Sequence, residues 1–364
     1  MKNFNFLILI IALLQIHCAA SAENTNHPPA AHSEASPTMH ISTLPPLRVG
    51  AARTSEYVPL LRGQNIALVV NQTSMIGKTH LADSLMTLGI KVKKIFAPEH
   101  GFRGTADAGE QIKDGRDQRT GVPVVSLYGR KKQPTAADLE GIDWIVFDIQ
   151  DVGARFYTYI SSMHYVMESC ALYGVKFMVL DRPNPNGNYV DGPVLQPAFQ
   201  SFVGMHPVPV VHGMTMAEYA QMINGERWLK DGRSSYLHVV TCENYAHDRP
   251  YELPIPPSPN LPNQRAIYLY PSLCFFEGTT VSAGRGTDRQ FQIYGHPDAP
   301  VGDYTFRPTA RPGAKYPKFE DKMCRGFDLT DYAPEQLYQR QRLELSQLVE
   351  FYRAFADAGN ADAF

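Results

Sequence analysis

Apolar runs that end abruptly in polar residues recur through the first half of this chain, and they constrain its fold more than any other feature. "NIALVVNQ" (65–72), "KVKKIFAPE" (91–99), "WIVFDIQD" (144–151) and "KFMVLDRP" (176–183) share this form, with "PVVSLYG" (123–129) as a shorter relative. Each is long enough for a strand, and each is apolar on consecutive rather than alternate residues, as in a strand buried on both faces. Between them lie segments of helical spacing: "THLADSLMTLG" (79–89), "TAADLEG" (135–141) and "YTYISSMHYVMESCALYG" (157–174). Strands alternating with helices predict an α/β fold, a Rossmann-like parallel sheet with helices on both faces. In such sheets ligands bind beyond the carboxyl ends of the strands. Those ends carry Asn71, Glu99 and His100, Asp148 to Asp151, and Asp181 with Arg182.

The texture changes near residue 205. Thr215 and Glu218 have the spacing of a helix-opening capping box, and "YLHVVTCENY" (236–245) reads as a strand. "LPIPPSPNLPNQ" (253–264) reads as a proline-stiffened connection, and a last helical stretch starts near Pro334. The expected division is a Rossmann-like domain over 46–205 and a smaller α+β domain over 206–364. Before them, residues 1–22 have the form of a secretory leader: Lys2, an apolar run from Phe4 to Leu14, then Ala20-Ser21-Ala22. Cleavage after Ala22 ranks above lipid attachment at Cys18, because His17 is bulky where such sites take small residues. Residues 23–45, rich in Pro, Ser, Ala and His, read as a linker. The leader implies an exported protein, periplasmic or secreted, and no later segment has the length and apolarity of a membrane span. With 19% charged residues and a net charge of −2, the chain has no basic stripe, and nucleic acid is not an expected partner. Cys170, Cys242, Cys274 and Cys324 have no metal-like spacing; buried thiols are the first reading and a single disulfide the second.

The chemistry concentrates in "FAPEHGFRGTADAGE" (96–110), where an acid and an imidazole follow Pro98 at a strand end. Partial burial there favours the protonated form of a carboxyl, which makes Glu99 a candidate general acid. His100 could orient it, and Asp107 or Glu110 could supply a second carboxylate. In "DIQDVGARFYTY" (148–159), Asp151 and Arg155 read as an ion pair, whereas Tyr157 and Tyr159 open a helix where a hydroxyl could meet an acid or polarise a water. No G-x-G-x-x-G follows a strand, and "GKT" (77–79) lacks the upstream glycine of a phosphate loop, so no nucleotide cofactor is expected. A metal set from His100, His164, His212 and Asp148 lacks the spacing of known sites, and no G-x-S-x-G elbow is present.

In series, "LVVNQTS", "FAPEHGFRGTADAGE", "SLYG", "FDIQDVGARFYTYI", "LDRPNPNG", "VDGPVL", "VPVVHGMT" and "FEGTTVSAGRGT" resemble the exo-β-N-acetylmuramidase family, the NamZ-like glycoside hydrolases. The resemblance runs from about Leu47 to the chain end. It implies release of terminal N-acetylmuramic acid from peptidoglycan fragments, without metal or nucleotide, in a cleft between two domains. It makes Glu99 the leading catalytic candidate, with Tyr157 and His100 beside it. Muramic acid carries a lactyl carboxylate, which a bidentate arginine recognises best; Arg155, Arg182 and Arg285 are the candidates, the last flanked by Gly284 and Gly286, which would let backbone N–H groups approach the anion. Asn71, Tyr159, His212 and Glu277 complete the expected substrate pocket. Family members continue past the point where this chain stops at "ADAF", so the expectation is either a truncated sequence or a missing closing helix. The competing reading is a non-catalytic periplasmic protein that captures cell-wall fragments between two domains.

Overall fold

A computed structural model describes residues 45–99, 101–102 and 115–364. The leader, most of the linker, His100, Arg103, Asp107 and Glu110 lie outside the described residues. The first half folds as the apolar runs predict. Strands β1 (Asn65–Val70), β4 (Lys91–Ala97), β6 (Pro123–Ser126), β7 (Trp144–Asp148), β8 (Lys176–Leu180) and β9 (Leu237–Val240) pair in parallel. The two-residue strand β5 (Gly115–Arg116) joins antiparallel at one edge, giving the order β5-β6-β4-β1-β7-β8-β9. A small hairpin, β2 (Met75–Ile76) and β3 (Thr79–His80), follows β1.

The continuous apolar runs are explained by a core on each face of the sheet. In β7, Ile145 and Phe147 belong to one apolar cluster while Trp144 and Val146 belong to another. Alternate residues of β1 divide the same way, Ala67 and Val69 on one face, Ile66, Leu68 and Val70 on the other. Helices α1 (Thr54–Leu61) and α2 (Leu81–Thr87) contribute to the second face; α4 (Tyr159–Tyr173) and α5 (Met216–Gly225) to the first. Local chemistry sets the helix limits. Short α3 (Ala136–Leu139) opens on a capping box between Thr135 and Asp138. The one expected from Thr215 and Glu218 opens α5, and α4 stops at Gly174, whose φ of 71° suits glycine.

The sheet extends past the expected division at residue 205. Strand β9 bonds to β8, Val239 opposite Val179, and α5 packs on the same sheet, so residues read as the opening of the second domain complete the first. The smaller C-terminal part begins with α6 (Gln264–Leu273). It adds an antiparallel sheet of β10 (Ile293–His296), β12 (Cys324–Asp328) and β11 (Tyr304–Phe306), and then α7 (Pro334–Arg340) and α8 (Ser346–Asp357). Its apolar residues, including Tyr270, Phe276, Phe291, Phe351 and Phe355, continue the cluster on the first face of the large sheet. The final residue, Phe364, meets Phe276, Phe351 and Phe355 edge to face, and its carbonyl accepts from Thr280 N at 3.0 Å. The four cysteines among the described residues are free thiols.

Candidate active site

A cleft of about 520 Å3 opens beyond the carboxyl ends of the central strands, where the sheet meets the C-terminal part. Strands β1 and β7 are neighbours, the connection leaving β1 carrying α2 to one face and that leaving β7 carrying α4 to the other, and such a switch point is where an open parallel sheet leaves a crevice. Glu99 enters two residues after β4, Phe156 to Tyr159 enter between β7 and α4, and Ser258, Asn260 and Leu261 come from the proline-rich connection. The opposite wall is Cys274, just past α6, with Phe275, Glu277, Arg285 and Phe291.

The floor is a row of tyrosines. Tyr159 and Tyr157 meet edge to face at 5.1 Å, and Tyr157 meets Tyr270 at 6.0 Å. Asn71 Nδ2 donates to the Tyr159 hydroxyl at 2.9 Å, and that hydroxyl reaches the Glu99 carbonyl at 3.4 Å. The Tyr157 hydroxyl donates to the Pro257 carbonyl at 2.7 Å, which also accepts from Gln72 Nε2 at 3.1 Å. The prolines prevent that connection from forming a ladder, and their carbonyls serve instead as fixed acceptors. Burial, followed by the charge of Glu99, raises the pKa of Tyr159; burial, followed by Tyr159 and Asp151, does the same for Tyr157. Both stay protonated, so Tyr157 is a donor here and a poor nucleophile. Burial likewise pushes the Cys274 thiol up to about 12, which keeps it from being a thiolate.

Glu99 is half-buried, and its Oε2 accepts from the Thr158 hydroxyl at 3.3 Å. Glu277 sits on the helical turn Cys274–Gly278, and its Oε2 takes both Nε (2.9 Å) and Nη2 (2.8 Å) of Arg285. Burial opposes the Arg285 charge, but the Glu277 carboxylate outweighs it and the guanidinium pKa lies above its ordinary value. Behind this wall the Lys318 ammonium donates to the carbonyls of Phe276, Glu277, Thr279 and Val281, at 2.6–3.3 Å. Gly284 and Gly286 differ from their expected role. Both have φ of 80°, and a Cβ would stand 2.7 Å from the Arg289 carbonyl or from Pro317. They bring the Arg285 loop against its neighbours, and the Gly286 carbonyl accepts from Thr309 N.

The structure thus gathers Glu99, Tyr157, Tyr159, Glu277 and Arg285 in one cleft, with Asn71 directly beneath. It does not bring Arg155, Arg182 or His212 there. Arg155 Nη1 donates to the carbonyls of Pro193 (2.8 Å) and Val208 (2.5 Å). Arg182 is buried with both oxygens of Asp148, at 2.6 and 3.0 Å. The expected Asp151–Arg155 ion pair is thereby replaced: Asp148 pairs with Arg182, and Asp151 lies 3.8 Å from His212 Nε2. Burial raises Asp151 to about 7 and lowers His212 to about 3, so the imidazole stays neutral and the carboxyl remains partly protonated near neutral pH. The alternative metal set is dispersed as well. His164 Nδ1 meets His206 Nε2 at 2.9 Å, Asp148 holds Arg182, and His100 lies outside the described residues.

Thr158, Ser258, Asn260, Tyr270, Phe156 and Phe275 line the cleft without having been singled out. The aromatic density of "RFYTYI" was the available signal for Phe156. Tyr270 gave none, since it reads as one apolar position of a helix.

Residues 66–265 match the family described as "Exo-beta-N-acetylmuramidase NamZ, N-terminal", and residues 268–361 match its C-terminal counterpart. The change of family segment falls at the start of α6, where the large sheet is complete. The chain is 43% identical over 251 residues to the peptidoglycan beta-N-acetylmuramidase NamZ of Bacillus subtilis (strain 168), a match spanning 66% of this chain and 59% of that relative. Two crystal structures of DUF1343 family proteins from Bacteroides fragilis NCTC 9343 share the architecture. One has a TM-score of 0.79 at 46% identity, covering 87% of this chain and 84% of the other. The second has a TM-score of 0.73 at 26% identity, covering 86% and 84%.

Proposed function

The chain belongs to the exo-β-N-acetylmuramidase NamZ family, and from that premise we propose that it is an exo-acting glycoside hydrolase. Its substrate is a peptidoglycan fragment with β-linked N-acetylmuramic acid at the non-reducing end, and Glu99 is its general acid. The observation that carries this reading is the position of Glu99, at the carboxyl end of β4 inside a cleft floored by three tyrosines. Cleaving a glycosidic bond requires an acid at the bridging oxygen and stabilisation of an oxocarbenium-like state. Thr158 and the Asn71–Tyr159 pair fix the strand end that presents the acid. Tyrosine and phenylalanine faces supply the apolar surface on which a pyranose ring packs. Arg285, of the three arginines weighed, is the one that lines the cleft, and we assign it the lactyl carboxylate. The leader at 1–22, with cleavage after Ala22, would deliver the enzyme to the periplasm or the exterior, where such fragments arise during wall turnover and recycling.

The test is proton NMR of the purified protein with a chromogenic β-muramoside. Catalytic release of N-acetylmuramic acid is expected, with a drop in kcat of about 10^2–10^4 in Glu99→Gln and product binding retained. Unchanged turnover in that variant removes Glu99 from the mechanism. Stoichiometric retention by the wild-type protein, without release, makes the chain a binding protein instead.

A further inference from the structure

We infer that Glu277 is the second catalytic group, a general base that activates the attacking water, so that the reaction inverts the anomeric centre. The inference rests on the glycosidase reading above and names the partner that reading leaves open. Glu99 and Glu277 are the two carboxylates lining the cleft among the described residues. They act from opposite ends of the tyrosine floor. Glu99 meets the Tyr159 end of the row, its carbonyl 3.4 Å from that hydroxyl, whereas Glu277 lies on the turn Cys274–Gly278 that follows directly on α6 and Tyr270. Two ring-to-ring steps, 5.1 and 6.0 Å, lie between Tyr159 and Tyr270. In an inverting glycosidase one carboxyl acts as acid and the other as base, and the two stand far enough apart to hold a water between them; a nucleophilic carboxylate must sit closer.

The surroundings of the two acids differ as their roles require. Glu277 accepts two hydrogen bonds from the Arg285 guanidinium. Glu99 has a hydroxyl donor and no cationic partner among the described residues. Both bonds from Arg285 fall on Glu277 Oε2, and among the described residues Oε1 has no hydrogen bond, leaving one oxygen anchored and one able to accept a proton. The Lys318 ammonium, bonded to the carbonyls of residues 276, 277, 279 and 281, holds the backbone of that turn. In the step itself, the water oxygen bonds to C1 and its proton passes to Glu277 Oε1. The bond from C1 to the bridging oxygen breaks, and the electron pair stays on that oxygen, which takes the proton from Glu99. Solvent exchange then restores both groups.

The experiment is the NMR assay above, applied to wild type, Glu277→Gln and Glu277→Ala, with thermal melts as a folding control. The expected first product of the wild type is α-N-acetylmuramic acid. Glu277→Gln should lose about 10^2–10^4 in kcat with KM changed only a few-fold, and the acidic limb of its pH–rate profile should vanish. Azide should accelerate Glu277→Ala and yield the α-glycosyl azide. A β first product overturns the base role. So does a folded Glu277→Gln that keeps kcat and its acidic limb while KM rises, since that would make Glu277 a support for Arg285. If Glu277→Gln melts early, Glu277→Asp decides: the charge is kept but withdrawn, so the limb should persist at reduced kcat, and an unreduced kcat counts against the proposal. Failure of the wild type to turn over any muramoside refutes the glycosidase reading itself, which distinguishes the two.

Discussion

Arg182 reaches Asp148 through two parallel hydrogen bonds, in a place where neither side chain meets water: Asp148 is 0% exposed and Arg182 4%. A buried pair of this kind is marginal as a net source of stability, but halving it strands a charge. Arg182→Met is therefore expected to cost about 3–5 kcal/mol in urea unfolding, while Arg285→Met, whose partner Glu277 is partly exposed, should cost less, raise KM and also lower kcat by freeing the Glu277 carboxylate. At this scale the sequence was only partly readable. Arg155, Arg182 and Arg285 all follow apolar runs or sit among glycines, and nothing in their local pattern separates them. What separates them is which carbonyls and carboxylates the finished fold brings within reach: those of Pro193 and Val208, those of Asp148, and that of Glu277. Glu99 was legible because its place at a strand end follows from the fold class alone.

Helix α6 shows how elements join the two parts of the chain. Pro271 lies inside it and has no N–H for the Ile267 carbonyl. Asn186, 2% exposed and part of "LDRPNPNG", fills that deficit: its Nδ2 donates to Ile267 O at 3.2 Å and to Val152 O at 2.8 Å. Asn186→Leu leaves both carbonyls buried without that donor and should destabilise by about 1–3 kcal/mol, seen as a lower midpoint in chemical denaturation. The capping box of α5 is a simpler case. Thr215→Ala removes the acceptor for Glu218 N and should cost about 1 kcal/mol. Strands with two buried faces and helices with capping boxes were readable from the chain. Two features were not: α6, whose pattern is broken by a proline that only a distant asparagine compensates, and the membership of β9, which depends on pairing with β8 across 56 intervening residues rather than on its own composition.

For the molecule as a whole, buried ionisable groups predict an unusual pH response. Burial first of all lowers His206 and His212 to about 3 and raises Asp151 and Asp181 to about 7. A histidine depressed in the fold contributes stability that is lost as pH falls below the unfolded value near 6.5. A carboxyl raised in the fold works oppositely, adding stability as pH falls from about 7 towards 4. The four groups therefore cancel between pH 6.5 and 4, and their contribution to unfolding free energy should be flat there. Below 4 the carboxyls are protonated in both states, and only the histidine loss remains. In Asp181→Asn the cancellation is incomplete, so stability should decline with acid from about pH 6.5, by up to about 1.4 kcal/mol per pH unit. Urea titrations of both proteins across that range measure it.

Lys318 has a consequence of another kind. Four oxygens converging on one ammonium are a coordination sphere in all but name, with a side chain standing where other proteins place an alkali ion. Because Lys318 follows Pro317, which packs against Gly286, and Thr309 N donates to the Gly286 carbonyl, the turn cannot swing outward without dragging that segment along. The far bank of the crevice should consequently breathe as a single slab, slowly in hydrogen exchange and all at once.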